Sequence, residues 1–212
     1  MSEARDWLSW HDGYDEPDSP LQQRLRIVQR DIETWLDERA GRPSQVVSVC
    51  AGQGRDLIEV LAGRPDGRAV RARLVELDPR NATIAEHSAR NAGLGAVEIV
   101  RADAGVVDSY LGALPADLVL LCGVFGNISD RDVRATIEAL PGLCTSGGTV
   151  IWTRSRRAPD LTPQIRGWFA AAGFEEVAFD APPDVLISVG MHRFRGVARA
   201  AESGVRLFRF LA

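Results

Sequence analysis

Residues 46–57 read VVSVCAGQGRDL, and this stretch decides the fold. An apolar run breaks on Gly52 and Gly54, and Leu57, Val60 and Leu61 then resume at helical spacing. That is the pattern of a buried strand, a tight turn and a helix. Glycine in such a turn permits positive φ and lets a ligand approach the main chain closely. The same unit recurs downstream. ARLVEL (72–77) leads into a helical stretch over 81–91, and VEIV (97–100) is a third strand. LVLLCGVF (118–125) is apolar enough for a strand buried on both faces. Ser129 caps a helix carrying Val133, Ile137 and Leu140, and TVIWT (149–153) makes a fifth strand. Thr162 with Pro163 opens a helix that runs past Ile165 and Phe169 to Gly173. Strands alternating with helices over ~125 residues need crossover connections, hence a parallel sheet covered by helices.

The flanks differ from this core. VAF (177–179), DVLISV (184–189) and VRLFRFL (205–211) are β-like with no helix between them, which predicts an antiparallel edge strand. Upstream, Ser19 as N-cap, Pro20 and Gln22 open a helix with Leu21, Leu25, Val28, Ile32 and Trp35 on one face, stopped by Gly41 and Pro43. Residues 1–18 are acidic and aromatic, without periodicity. We read residues 1–44 as a lid and helix belonging to the same domain as a core over 45–212.

Composition narrows the function. The chain has 212 residues, a formal charge of −4 and no lysine, so all 25 basic residues are arginine, as codon usage in a GC-rich genome would give. An acidic chain does not suit a life on phosphate backbones. Arg154, Arg156 and Arg157 follow the fifth strand without interleaved aromatics, so they suggest grip on an acidic acceptor rather than nucleic acid. No apolar run approaches the ~20 residues of a membrane span, and the N-terminus lacks the basic start and apolar centre of a secretory signal. Cys50, Cys122 and Cys144 are odd in number and lack CxxC spacing, so they read as reduced thiols of a cytoplasmic protein, with no metal site.

In such sheets ligands sit beyond the carboxyl ends of the strands. Glu76 ends the second strand about 20 positions after Gly54, where a carboxylate accepts from both ribose hydroxyls. Asp103 closes the third strand, placed to accept from an exocyclic amine. Three polar groups at consecutive strand ends describe an adenosine-sized site. The dinucleotide fingerprint asks for a third glycine where Leu57 stands, which disfavours a nicotinamide-dependent oxidoreductase.

At these residues the chain resembles class I S-adenosylmethionine-dependent methyltransferases. CAGQGRD (50–56) is similar to their glycine-rich first motif, VELDP (75–79) to the acidic second, VRADA (100–104) to the adenine-side motif and LLCGVFGN (120–127) to the strand-four motif. The lead-in WHDGYDEPDSPLQQRLRIVQ (10–29) resembles an actinobacterial-type branch of such proteins. The resemblance implies a Rossmann-like, doubly wound, mostly parallel seven-stranded sheet with an antiparallel strand near the C-terminus and an added N-terminal helical segment. It also implies S-adenosylmethionine as cofactor, bound by Cys50, Ala51, Gly52, Gly54, Asp56, Glu76, Leu77, Asp103, Ala104, Cys122 and Gly123. The family commonly carries an acid where Cys50 stands here, and Asp56 either replaces it near the cofactor ammonium or caps the helix.

Methyl transfer from a sulfonium needs alignment more than a fixed triad, and a base only for a protonated acceptor. His11, amid Trp7, Trp10, Asp12 and Tyr14, is the candidate base. His87 and His192 read as surface residues. Tyr14, Asn127 and Arg154 are candidates for contact with a small-molecule acceptor, and Arg24 and Arg26 for reach toward the cofactor carboxylate. The function expected is O- or N-methylation of a small molecule, by a monomer or a homodimer. The alternative is a cofactor-binding module that acts by interaction.

Overall fold

A computed structural model describes residues 6–211. Its sheet has seven strands in the order β3-β2-β1-β4-β5-β7-β6. These are β1 (Ser44–Val49), β2 (Val70–Glu76), β3 (Val97–Arg101), β4 (Ala116–Leu121), β5 (Cys144–Ser155), β6 (Phe174–Asp180) and β7 (Ile187–Phe194). The first five run parallel, and β7 is antiparallel to both β5 and β6. The sheet is the Rossmann-like, mostly parallel one that the sequence predicts. The strand order reverses between β1 and β4, which opens a crevice at their carboxyl ends.

The helices are α1 (Trp7–Trp10), α2 (Pro20–Arg39), α3 (Arg55–Ala62), α4 (Pro79–Asn91), α5 (Asp130–Ala139) and α6 (Thr162–Ala171). Their caps follow from local chemistry. Ser19 accepts from the Gln22 amide at 3.1 Å, with Pro20 just inside the helix, and Ala40 ends α2 in the left-handed region. Asp78 accepts from the Arg80 amide to start α4, and Ser129 from the Asp132 amide to start α5. Alternate side chains of the central strands feed two cores. Val46, Leu74, Leu118 and Leu120 pack under α2 and α3 with Val28, Ile32 and Leu57. Val47, Val119, Leu121 and Trp152 pack under α5 and α6 with Ile137, Ile165 and Phe169. Helix α2 is thus part of the covering layer, and the apolar face it buries belongs to the same core as the sheet.

Four expectations need correcting. The antiparallel strand is not at the edge: β7 lies between β5 and β6, and its residues are buried almost throughout. The segment 205–211 is no strand, making only isolated bridges from Arg206 to Val106 and from Phe210 to Ile128. It crosses the loops after β3 and β4, where there is no ladder to join. Gly105 permits the crossing, since a Cβ there would meet the Phe208 carbonyl oxygen at 2.4 Å. Finally, His192 is 1% exposed, because β6 and α6 cover it, whereas His87 is exposed on α4 as expected. The apolar run 118–125 is also longer than its strand. β4 stops at Leu121, and Val124 and Phe125 are buried in the turn that follows.

Candidate functional site

A cavity of about 370 Å³ lies over the carboxyl ends of β1 to β4. Its floor is the loop after β1. Cys50 takes positive φ (53°), Gly52 follows at 56° and Gly54 at 71° as N-cap of α3. Such φ at Cys50 is uncommon for a residue with a side chain. The loop is pinned by the Ala51 amide on the Val75 carbonyl at 3.0 Å and by the Gly54 amide on the Ala51 carbonyl at 2.9 Å.

Glu76, at the end of β2, is 9% exposed and reaches back into this loop. Its Oε2 accepts from the Gly52 amide and its Oε1 from the Asp78 amide, both at 2.8 Å. Burial raises its pKa, against the lowering effect of those backbone bonds. Asp103, past β3, is exposed. Its Oδ1 accepts from the Gly105 amide at 2.8 Å and its Oδ2 from Arg206 at 3.0 Å. Ala104 is buried beside it, and Leu77 is exposed at the rim.

Cys122 and Gly123, past β4, line the opposite end together with Asp56 and Arg24. Burial pushes the thiols of Cys50 and Cys122 well up, so both are protonated at neutral pH. Gln53 and Asn81 complete the wall, the Gln53 Nε2 donating to Asn81 Oδ1 at 3.4 Å. The Nδ2 of Asn81 is buried without a partner among the described residues.

The roof comes from two segments far apart in sequence. From one side, α1 and a 3-10 turn (His11–Tyr14) bring Trp7, Trp10, His11 and Tyr14. From the other, segment 205–211 brings Phe210, which meets Trp7 edge-on with centroids 5.6 Å apart. Ion pairs fasten the roof: Arg80 to Asp6 at 2.8 Å, Arg55 to Asp15 at 2.6 Å and Arg206 to Asp103 at 3.0 Å.

His11 has a defined state. Its Nδ1 lies 2.6 Å from the Trp7 carbonyl oxygen. A carbonyl only accepts, so Nδ1 carries the proton and the neutral ring keeps a lone pair on Nε2. Burial, and then the positive charges of Arg55 and Arg24, lower its pKa, so neutral is the form at neutral pH. The ring sits on Gly52: a Cβ there would be 2.3 Å from Nε2.

The structure therefore gathers His11, Tyr14, Cys50, Ala51, Gly52, Asp56, Glu76, Leu77, Asp103, Ala104, Cys122 and Gly123 around one cavity. Gly54 lies beneath it, where a Cβ would strike Ile58 and Leu74, so its part is in the turn. Asn127 stands outside and donates to the Gly123 carbonyl at 2.6 Å, shaping the turn. Arg154 is likewise outside, bonded to the Phe125 carbonyl and 3.5 Å from Asp130. Arg156 is tied up by the carbonyls of Pro182, Val185 and Ile187. Arg26 is exposed and bonds Gln22, whereas Arg24 lines the cavity. Sequence reasoning missed Asn81, Arg206 and Phe210. Asn81 had a signal, since it shares the 81, 85, 89 stripe of α4 with Ala85 and Ala89, a polar side chain on the buried face.

No family model matches the sequence, and no curated protein does. Solved structures match in shape. An O-methyltransferase family protein from Burkholderia thailandensis superposes with a TM-score of 0.67 at 18% identity, over 96% of this chain and 62% of that one. Magnesium protoporphyrin IX methyltransferase from Synechocystis PCC 6803, with S-adenosylmethionine bound, gives 0.64 at 14% identity, over 92% of this chain and 100% of that one. The chain thus shares a Rossmann-like fold with solved methyltransferases. The chain spans less than two thirds of the Burkholderia protein's length. A [4+2]-cyclase also superposes on this chain with a TM-score of 0.56 at 15% identity, over 72% of this chain and 76% of that one, so the fold does not by itself fix the chemistry. Among the described residues no helix is long and apolar enough to cross a membrane, and no three His, Cys, Asp or Glu side chains gather as for a metal.

Proposed function

We propose that the protein is an S-adenosylmethionine-dependent methyltransferase acting on an oxygen or nitrogen of a small molecule in the cytoplasm. The observation that carries this reading is the buried Glu76 carboxylate, braced by the Gly52 and Asp78 amides at the wall of the cavity. A carboxylate offers about four acceptor positions, so roughly two remain for the vicinal hydroxyls of a ribose. The donor set fits the cofactor in other respects. The Asn81 Nδ2 is an orphaned donor at the cavity wall, and the glycine loop presents main chain where a side chain would intrude. From β3 to β4 the carboxyl ends span three strand spacings, about 14 Å, enough for a nucleoside with a short chain. Leu57 is fully buried in the core beneath the loop, in the place of a third glycine, which speaks against a dinucleotide cofactor.

Bound there, S-adenosylmethionine supplies an electrophilic methyl group. The chain's own residues have the remaining work. The aromatic roof excludes water, and the lone pair on His11 Nε2 accepts a proton from an acceptor that carries one. Binding within a cavity roofed by the chain itself suits a small acceptor rather than nucleic acid, in a monomer or a homodimer.

The test is isothermal titration with S-adenosylhomocysteine, using oxidised nicotinamide dinucleotide as control. Saturable micromolar binding of the first alone supports the reading, and binding of neither overturns it. Cofactor-dependent methylation of any offered metabolite, abolished by Glu76→Ala, separates an enzyme from a binding module.

A further inference from the structure

A row of four side chains runs from the cavity wall out to the roof. At its outer end Asp15, just past the 3-10 turn, takes two bonds from Arg55, on Oδ1 at 2.6 Å and on Oδ2 at 3.1 Å. Arg55 Nε donates inward to Gln53 Oε1 at 2.9 Å, and Gln53 Nε2 donates on to Asn81 Oδ1 at 3.4 Å. Gln53 is 7% exposed and Asn81 1%, and both line the cavity. The row thus joins the roof, the glycine loop with the start of α3, and the first turn of α4.

Each group in the row is oriented by its neighbour. A guanidinium has donors only, so Gln53 turns its oxygen to Arg55 and its NH2 to Asn81. Asn81 must then present its oxygen to Gln53, which leaves Nδ2 as the inner end of the row. That Nδ2 is buried without a partner among the described residues. A buried donor left unpaired is costly, so it points to an acceptor atom supplied by a ligand.

The outer end is weak by itself. The Asp15 side chain is 67% exposed, and an ion pair so placed contributes little on its own. Its strength depends on how firmly the Arg55 fork is held from within. Hydrogen bonds in a row polarise one another, and an amide whose N–H is engaged has a stronger carbonyl acceptor. A ligand atom that accepts from Asn81 Nδ2 therefore strengthens the contact to Gln53, and Gln53 steadies the fork that Asp15 meets. The same guanidinium lies over the Tyr14 ring at 5.7 Å, a second contact with the roof.

We propose that this row is an occupancy relay: Asn81 senses a ligand in the cavity and fastens the roof through Gln53, Arg55 and Asp15. Linkage makes the effect reciprocal, so the attachment at Asp15 raises ligand affinity by the factor by which the ligand strengthens the attachment. The choice of ligand rests on the cofactor reading above.

The experiment uses S-adenosylhomocysteine as probe, with affinity from titration calorimetry, hydrogen exchange across residues 7–15, and circular dichroism to check folding. Asp15→Ala should weaken binding about fivefold, the upper end for an exposed pair, although Asp15 does not line the cavity. Asn81→Ala should weaken it about tenfold or more, and the double variant no further, because the relay is already cut. In the wild type the ligand should slow exchange across residues 7–15 by about fivefold. Gln53→Glu keeps the shape and the bond from Arg55 but cannot donate, so Asn81 turns its NH2 toward it and offers the ligand an oxygen. In that variant the ligand should leave exchange in the roof unchanged, and this readout stands even where Asn81→Ala does not fold. Additive losses in the double variant, no ligand-induced protection in the wild type, or protection that survives Gln53→Glu overturns the relay while leaving the cofactor reading intact. If S-adenosylhomocysteine does not bind the wild type, the cofactor reading falls and the relay with it.

Discussion

Replacing Gly52 by alanine tests the contact that joins roof to floor. The new Cβ would lie 2.3 Å from His11 Nε2, closer than any real contact, and the backbone at that position keeps φ at 56°. Two costs follow. Alanine in the left-handed region costs about 1 kcal/mol, and the His11 ring, 8% exposed, must leave its seat. Displacing a buried ring forfeits a further 1–2 kcal/mol or so. The ring cannot slide far while Nδ1 holds the Trp7 carbonyl, so the strain passes into α1. We expect a loss of roughly 2–3 kcal/mol in urea unfolding for Gly52→Ala, and only about 1 kcal/mol for the same change made in His11→Ala. The assay is a four-protein cycle followed by tryptophan fluorescence, with hydrogen exchange over residues 7–14 as a second readout. Equal losses in both backgrounds, with unchanged exchange in the roof, would refute the argument that His11 rests on the glycine loop.

Glu76→Ala should weaken S-adenosylhomocysteine binding by about 1–3 kcal/mol through the loss of a charged acceptor, while circular dichroism checks that the variant folds; unaltered affinity removes Glu76 from the site. His192 gives a pH prediction. Burial lowers its pKa to about 4, with Glu176 favouring and Arg166 opposing its charge. The unfolded chain therefore binds this proton from about pH 6.5 downward, and the folded chain only near pH 4, so stability declines as pH falls through that interval. Between pH 7.5 and pH 5 the wild type should lose about 2 kcal/mol more than His192→Gln, and parallel pH profiles in chemical denaturation would dismiss the idea. Alkylation by iodoacetamide offers a fourth check. Cys50 and Cys122 line the cavity and should react slowly, more slowly still with S-adenosylhomocysteine present, whereas Cys144, 0% exposed, should resist in either case.

The sequence carried most of the core because its signals are local. The Ser19 and Ser129 caps and the unbroken apolar run at 118–121 each act within a few residues of themselves. Glu76 and the glycine loop were legible for the same reason, as both lie where strands must end. What escaped depends on distant partners. His192 looked like a surface residue because the helix and strand that cover it are supplied by other parts of the chain. The segment VRLFRFL has strand composition, and only the absence of an edge at the top of the sheet keeps it from pairing. Arg24 and Arg26 stood as equals in the sequence, and only the fold turns Arg24 into the cavity and leaves Arg26 outside it.

The roof has a consequence for the order of folding. Trp7 and Phe210 are about two hundred positions apart in the chain, while β1 to β5 and their helices are built from neighbours. Contacts that close so long a loop form late, because their entropic cost is recovered only once the sheet between them stands. During synthesis the sheet can bury both its faces before residues 205–211 leave the ribosome, and the cavity is still open at that stage. A ligand that needs both halves of the roof thus meets a sheet that has already formed. Its binding should slow unfolding from the native side more than it speeds the search for the fold.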